Sequence, residues 1–185
     1  ELVLKRSANE LDEVVVNATR VTDNSGMAFT NLDRETIRKQ NLGQDAPFLL
    51  SQVPGVIVNS DAGNGIGYTG LRVRGTDATR VNITINGVPV NDAESQGTFW
   101  VNMPDLLSSV NSIQVQRGVG ASSNGAGAFG ASINLETNQL NDKPYAEVIS
   151  TAGSYNTFRN TLAAGTGLID NRFSLDARAS RITSD

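Results

Sequence analysis

Between Gly118 and Ser132 the chain holds five Gly, four Ala and three Ser, and only Val119, Asn124 and Phe129 carry larger side chains. Such a run buries little apolar area, and its glycines lose much backbone freedom on ordering. Composition alone reads it as a linker or flexible loop. Yet "SIQVQ" leads in and "SINLET" leads out, and both read as strands. The fold must therefore have a use for a compressible segment between two strands. Gly125, Gly127 and Gly130 also match G-x-G-x-x-G, but a dinucleotide site needs a strand directly before the glycines and a helix directly after them. "GASSN" precedes them and β-like residues follow, which argues against a nucleotide site.

Composition narrows the chemistry. The 185 residues contain no Cys and no His. That excludes disulfides, thiolate catalysis, thiolate metal sites and any Ser-His triad within this chain. Only 5% of residues are aromatic and 18% charged, with 18 Gly, a balance that favours loop-rich β structure over a helical bundle. A net charge of -4 gives no electrostatic reason to expect a nucleic-acid partner. No apolar stretch approaches the ~20 residues of a membrane-spanning helix. The chain opens on "ELVLKR", an alternating segment read as the end of an earlier strand, without a signal peptide. A longer precursor is expected.

Along the chain, "LDEVVVNATR" (Leu11 to Arg20) is a short β-branched run. A helix is predicted in "NLDRETIRKQ", with Asp33 as cap and Leu32 and Ile37 facing inward. A second is predicted in "QDAPFLLSQVPGV", with Asp45 as N-cap, Pro47 in the first turn and Pro54-Gly55 as the stop. Short strands follow at 55–59, 71–75 and 81–85, and Asn86-Gly87 signals a tight hairpin into "GVPV". "MPDLLSSV" reads as a brief helical turn, then "NSIQVQRG" and "ASINLET" as strands. After "NQLNDKP" come three segments of about ten residues, "YAEVISTAGS", "NTFRNTLAAG" and "NRFSLDARASR". In the third, Phe173, Leu175, Ala177 and Ala179 fall on one side and Arg172, Ser174, Asp176, Arg178 and Ser180 on the other. That dyad suits a strand with lipid or core on one face and water on the other. A small soluble sheet fits the same pattern.

Few residues invite chemistry. "NSDAGNGIGYTG" has the flavour of a calcium loop but puts Gly63 where a ligand is needed. Asp92 and Glu94 could be read as a carboxylate pair for acid–base work, but they stand in a polar loop and read as solvated loop charges. Arg72, Arg74, Arg80 and Arg117 stand in or at the ends of short strands, where a guanidinium can fork onto carboxylates of a surrounding structure or simply serve solubility.

The order of these pieces resembles the plug domain of TonB-dependent outer-membrane receptors, followed by the start of their β-barrel. The resemblance runs from about Leu11 to Asp185 and is carried by "LDEVVVNATR", "LLSQVPGVIV", "LRVRG", "RVNITINGVPVND" and "SIQVQRGVGASSNGAGAFGASINLET". Three positions depart from the family's habit: Asn86 for Asp, Val119 for Pro and Asn124 for an aromatic. The glycan-importing Sus-type branch tends to carry Lys-Asp where this chain has Arg117-Gly118, which tilts the reading towards siderophore or cobalamin receptors.

The resemblance implies an α+β plug domain, a small mixed sheet with short helices, followed by antiparallel strands of an incomplete transmembrane β-barrel. Its parts are expected at 1–10 (the end of a preceding region), 11–20 (the TonB-box segment), 21–138 (the plug) and 139–185 (the first barrel strands). The plug blocks a barrel of ~22 strands in the outer membrane, with its N-terminus in the periplasm, and small residues let it fill the lumen and still move aside. The implied function is TonB-dependent uptake of a scarce nutrient, an iron chelate or cobalamin, without enzymatic activity, cofactor or metal. A Sus-type glycan importer and a secreted β-rich adhesin are the alternatives. The partners implied are TonB, outer-membrane lipid and a small nutrient ligand, with no nucleic acid. Asp12, Glu13, Val14, Val15, Val16, Asn17 and Ala18 are the expected TonB box, adding an edge strand to the partner, or else a strand of the plug itself. Outward loops at 61–69 and 92–102 present Tyr68, Phe99 and Trp100, with Asn64, as expected ligand contacts; the aromatics equally suit packing on the barrel wall. Arg74 and Arg117 match plug arginines that meet barrel carboxylates.

Overall fold

The computed structural model describes residues 20–21, 26–120, 124–125, 127–138, 140–170 and 172–185. Seven strands and two short helices make the first unit: β1 (Phe29–Asp33), α1 (Arg34–Gln40), α2 (Ala46–Leu50), β2 (Val56–Ser60), β3 (Thr69–Val73), β4 (Val81–Ile85), β5 (Val88–Pro89), β6 (Ser112–Arg117) and β7 (Ala131–Glu136). A five-stranded mixed sheet has the order β1-β6-β7-β4-β5, while β2 and β3 pair separately. Within the large sheet β4 runs parallel to β7, and the other pairs are antiparallel.

Strand alternation gives this sheet two unlike faces. Ile83, Ile133 and Val115 share one rung, and Ile85, Leu135 and Ile113 the next. They pack with Ile37, Leu49, Leu50, Val53, Leu71, Val73, Trp100 and Leu107 into a single core. The opposite rungs hold Asn82, Ser132 and Gln116, then Thr84, Asn134 and Gln114, all buried although none is apolar.

Local signals explain the element ends. Asp33 accepts from the Thr36 amide at 2.8 Å and starts α1, whose Ile37 is fully buried. The expected helix over 31–40 is shorter than the sequence suggests, because 29–33 instead forms an edge strand on β6. Asn86 and Gly87 both have positive φ, as a two-residue hairpin turn requires. The returning β5 stops at Pro89, which has no N–H to extend the ladder.

The small-residue run is the far end of the β6–β7 hairpin. The Gly118 amide donates to the Gly130 carbonyl at 2.8 Å and Gly120 to Ala128 at 3.0 Å, so the pairing continues past both strands. Gly130 also donates to Arg80 at 2.8 Å, bringing the hairpin against the entry to β4. A Cβ at Gly130 would lie 2.7 Å from Thr76 Cβ, whereas at Gly125 and Gly127 no described atom stands within 4 Å.

Three further strands, β8 (Tyr145–Gly153), β9 (Thr157–Gly165) and β10 (Asp176–Thr183), form an antiparallel sheet in the order β10-β9-β8. The last begins five residues later than the expected segment: Ile169 and Phe173 form an isolated bridge that reverses the chain first. The dyad is retained, since Ala177 and Ala179 align with the exposed Ala164 and Leu162.

Gly130→Ala should destabilise the first unit by roughly 1–3 kcal/mol through overpacking. Adding Thr76→Gly should recover part of the loss, read by urea unfolding of both variants.

Candidate functional site

At one end of the first unit the loop between β2 and β3 is held by a buried carboxylate. Asp45 occupies the N-cap position of α2 but makes no side-chain cap bond. Its Oδ2 instead accepts from the Gly67 amide and the Thr69 hydroxyl, both at 2.9 Å. Those two residues flank Tyr68, which is 67% exposed. Burial pushes the Asp45 carboxyl up, and the Thr69 and Gly67 bonds pull it part of the way back. Sequence reasoning placed Asp45 as a helix cap and so missed it as the residue that positions Tyr68.

Tyr68, Phe99 and Trp100 line one cavity of about 350 Å³, together with Asn59, Thr69 and Val101. The three do not present themselves alike. Phe99 is 47% exposed, while Trp100 is 3% exposed and belongs to the hydrophobic core. Trp100 therefore forms the floor of the groove, because a short 3-10 turn, Trp100–Asn102, turns its indole inward. Asn64 lies outside this groove; its amide donates to Ser184 Oγ at 3.0 Å and its carbonyl oxygen accepts from the Ile66 amide. Among the described residues no cluster of three or more His, Cys, Asp or Glu could hold a metal.

A second constellation joins the first unit to the three-stranded sheet. Asp105 is buried with positive φ, which Asp tolerates better than most residues, at the start of the 3-10 turn Leu106–Ser109. Its carboxylate accepts from Arg159 at 3.2 Å, Arg178 at 2.8 Å, Thr161 at 3.2 Å and Ser108 at 2.7 Å, and also from Ser180. Arg159 further donates to the side chain and backbone oxygens of Asn41. Gly43 has φ +97 and would place a Cβ 3.1 Å from Arg159 Cδ, so a glycine admits this arginine. Nearby, Arg34 donates to Asn141 at 2.8 Å and Arg38 pairs with Glu147.

Arg74 and Arg117 meet no carboxylate among the described residues. Arg117 donates to the Pro54 carbonyl at 3.2 Å and the Phe29 carbonyl at 3.5 Å, and Arg74 has positive φ with its Nη1 beside Gly118. The ion pairing between the two units runs both ways: Asp105 of the first unit meets Arg159 and Arg178 of the strands, and Arg38 of α1 meets Glu147 of β8. The segment Asp12 to Ala18 lies outside the described residues.

Over residues 9–132 the chain matches the family model of the TonB-dependent receptor plug domain. It is 28% identical over 165 residues to the vitamin B12 transporter BtuB of Vibrio cholerae, covering 87% of this chain and 26% of the transporter. The ferric yersiniabactin uptake receptor FyuA from Yersinia pestis aligns at TM-score 0.66 and 19% identity, covering 85% of this chain and 24% of that one. The alcaligin outer-membrane receptor FauA from Bordetella pertussis aligns at 0.67 and 19%, covering 88% and 27%. At these identities the structures report a shared fold. The chain spans about a quarter of the length of each.

Removing Asp105 as Asp105→Ala strands a buried guanidinium, so stability should fall by about 3–5 kcal/mol. Glu35→Ala, which breaks the exposed pair with Lys39, should leave thermal unfolding unchanged. A carboxyl whose folded pKa is raised favours the fold below its unfolded pKa, and that contribution is lost as pH rises through the folded value. Asp45→Asn keeps an acceptor for Gly67 and Thr69, so it should flatten this decline, read by urea unfolding as pH is raised above the ordinary carboxylate range.

Proposed function

Because this chain belongs to the TonB-dependent receptor plug domain family, we propose that it is the stopper and first wall strands of an outer-membrane transporter for a scarce iron chelate or cobalamin. One observation carries the reading. The sheet β8–β10 turns its polar side chains onto the plug through Asp105 and leaves Ala146, Ala164 and Ala177, then Val148, Leu162 and Ala179, on the far side. Those side chains are exposed, and a lipid-facing barrel strand has this inward-polar, outward-apolar alternation. The next rung outward, Ser150, Asn160 and Arg181, is polar and lies towards the hairpin end, where a charge near the membrane interface costs little.

In this reading the nutrient binds where Tyr68 and Phe99 edge the groove and Trp100 floors it, with Asn64 on the neighbouring loop. Aromatic edges over a small cavity suit a bulky organic ligand with few charges. Arg74 and Arg117 stand ready for carboxylates elsewhere on the barrel. Asp12 to Ala18 pairs with TonB as an added edge strand in the periplasm. Work comes through that partner from the inner-membrane proton gradient. The similarity to a vitamin B12 transporter and to a ferric yersiniabactin uptake receptor supports this ligand class.

Deleting Asp12 to Ala18 should abolish uptake and spare ligand binding, measured side by side in cells dependent on cobalamin or on a ferric siderophore. Loss of binding as well would make that segment part of the plug's own fold. Tyr68→Ala and Phe99→Ala should each weaken binding by about 1–2 kcal/mol, roughly 5–30-fold in Kd. Trp100→Ala should instead deplete folded receptor.

A further inference from the structure

The two sides of the groove between Tyr68 and Phe99 come from separate parts of the chain. The Tyr68 side is the loop 61–68. No residue of this loop belongs to the hydrophobic core, and Gly63, Gly65 and Gly67 all have positive φ. Ordering it therefore costs backbone freedom that its own side chains do not offset. The bonds that order it come from Gln44 and Asp45. The Asp45 amide donates to the Gly65 carbonyl at 2.9 Å and Gln44 Nε2 to the Asn64 carbonyl at 3.1 Å, beside the carboxylate bonds to Gly67 and Thr69. A Cβ at Gly65 would lie 2.6 Å from Gln44 Nε2, so the loop backbone rests directly on this side chain.

Gln44 and Asp45 end a short strap, residues 41–45, that joins α1 to α2. The start of the strap is tied to the three-stranded sheet. Asn41 Oδ1 accepts from Arg159 Nη1 at 2.8 Å and from the Gly43 amide at 3.1 Å, and the Asn41 carbonyl accepts from Arg159 Nη2 at 3.2 Å. The oxygen that folds the strap at Gly43 is thus the one that the guanidinium orients. On the other side of the groove, the turn Trp100–Asn102 forms the floor, and Asp105 stands three residues beyond it. Arg159 Nη1 also donates to Asp105 Oδ1 at 3.2 Å. A guanidinium offers several donors in one rigid plane, and this one serves an acceptor leading to each side of the groove. Arg159 is buried, with Gly43 against its Cδ, so it has little room to shift.

We propose that Arg159 of β9 is a positioning residue for the groove, setting the Tyr68 edge through the strap Asn41–Asp45 and the Phe99–Trp100 edge through Asp105. The groove's role as a ligand site rests on the transport reading above; the inference adds that the spacing of its edges is set from the outer strands. A site that recognises shape needs its edges held to within about 0.5 Å, and one arginine shared by both edges supplies a common reference. The core is the competing anchor, since α1 and α2 flank the strap and both bury side chains.

Amide hydrogen exchange in the full-length receptor in detergent separates the two anchors, because it reads local opening segment by segment. Asn41→Ala should speed exchange in 61–69 by about 3–10-fold, as loss of one such bond implies, and leave 97–104 unchanged. Arg159→Ala, in which Arg178 still pairs with Asp105, should speed both segments. The β6 segment 112–117 should stay protected in each variant. Arg159→Lys keeps a cation for Asp105 but loses the fork onto Asn41. It should speed 61–69 alone, and it carries the test should Arg159→Ala not fold. Unchanged exchange in 61–69, or loosening only together with β6, means that the core holds the strap and overturns the proposal. Saturating cyanocobalamin and ferric yersiniabactin are then added in turn to the unsubstituted receptor. Slower exchange in 61–69 with either supports the groove as the ligand site. No change with both counts against the transport reading instead, whatever the variants show.

Discussion

Strands β6 and β7 bury both of their faces, and the rest of the structure follows from that constraint. A sheet can have one apolar face packed and the other wet without difficulty. Here Ile113, Val115, Ile133 and Leu135 pack the core, while Gln114, Gln116, Ser132 and Asn134 are equally hidden on the other side. The first set holds the unit together through apolar burial. The second set adds little net stability, because its bonds only replace bonds to water. One sheet thus combines a face that resists separation with a face that tolerates it, and Arg20 and Val21 bond to side chains of the tolerant side.

The attachment to the outer strands lies on a different part of the unit. Asp105 gathers Arg159, Thr161, Arg178 and Ser180 from β9 and β10, and α1 adds contacts from Arg34 and Arg38 to Asn141 and Glu147. A buried ion pair is weak evidence of net stability, but losing one partner is costly, so it fixes geometry more than it lowers free energy.

Much of this arrangement was legible from residues that act on their near neighbours. Asp33 caps α1, Asn86-Gly87 turns the β4–β5 hairpin, and the alternation in β10 sets its inward and outward sides. What escaped was long-range. Phe29–Asp33 reads as helix-leading polar sequence and becomes a strand only because β6, over 80 residues on, offers it an edge. Asp45 looks like a helix cap, and nothing local shows that its oxygens serve Gly67 and Thr69. The acceptor role of Asp105 depends on partners 54 to 75 residues away and on a left-handed backbone that residue type does not encode. Trp100, read as an outward aromatic, is drawn into the core by the turn at Trp100–Asn102.

The direction of charge at Asp105 also limits how such a chain can be exchanged between proteins. Its acid sits on the inner unit and its bases on the outer strands, whereas Arg38 and Glu147 pair with the opposite polarity. A chimera that moved the inner unit alone into a wall built the other way would set acid against acid and leave Arg159 and Arg178 behind without a counter-ion. Asp105, Gly43 and the two arginines therefore act as one assembly that spans two modules, and a chimera has to carry them together.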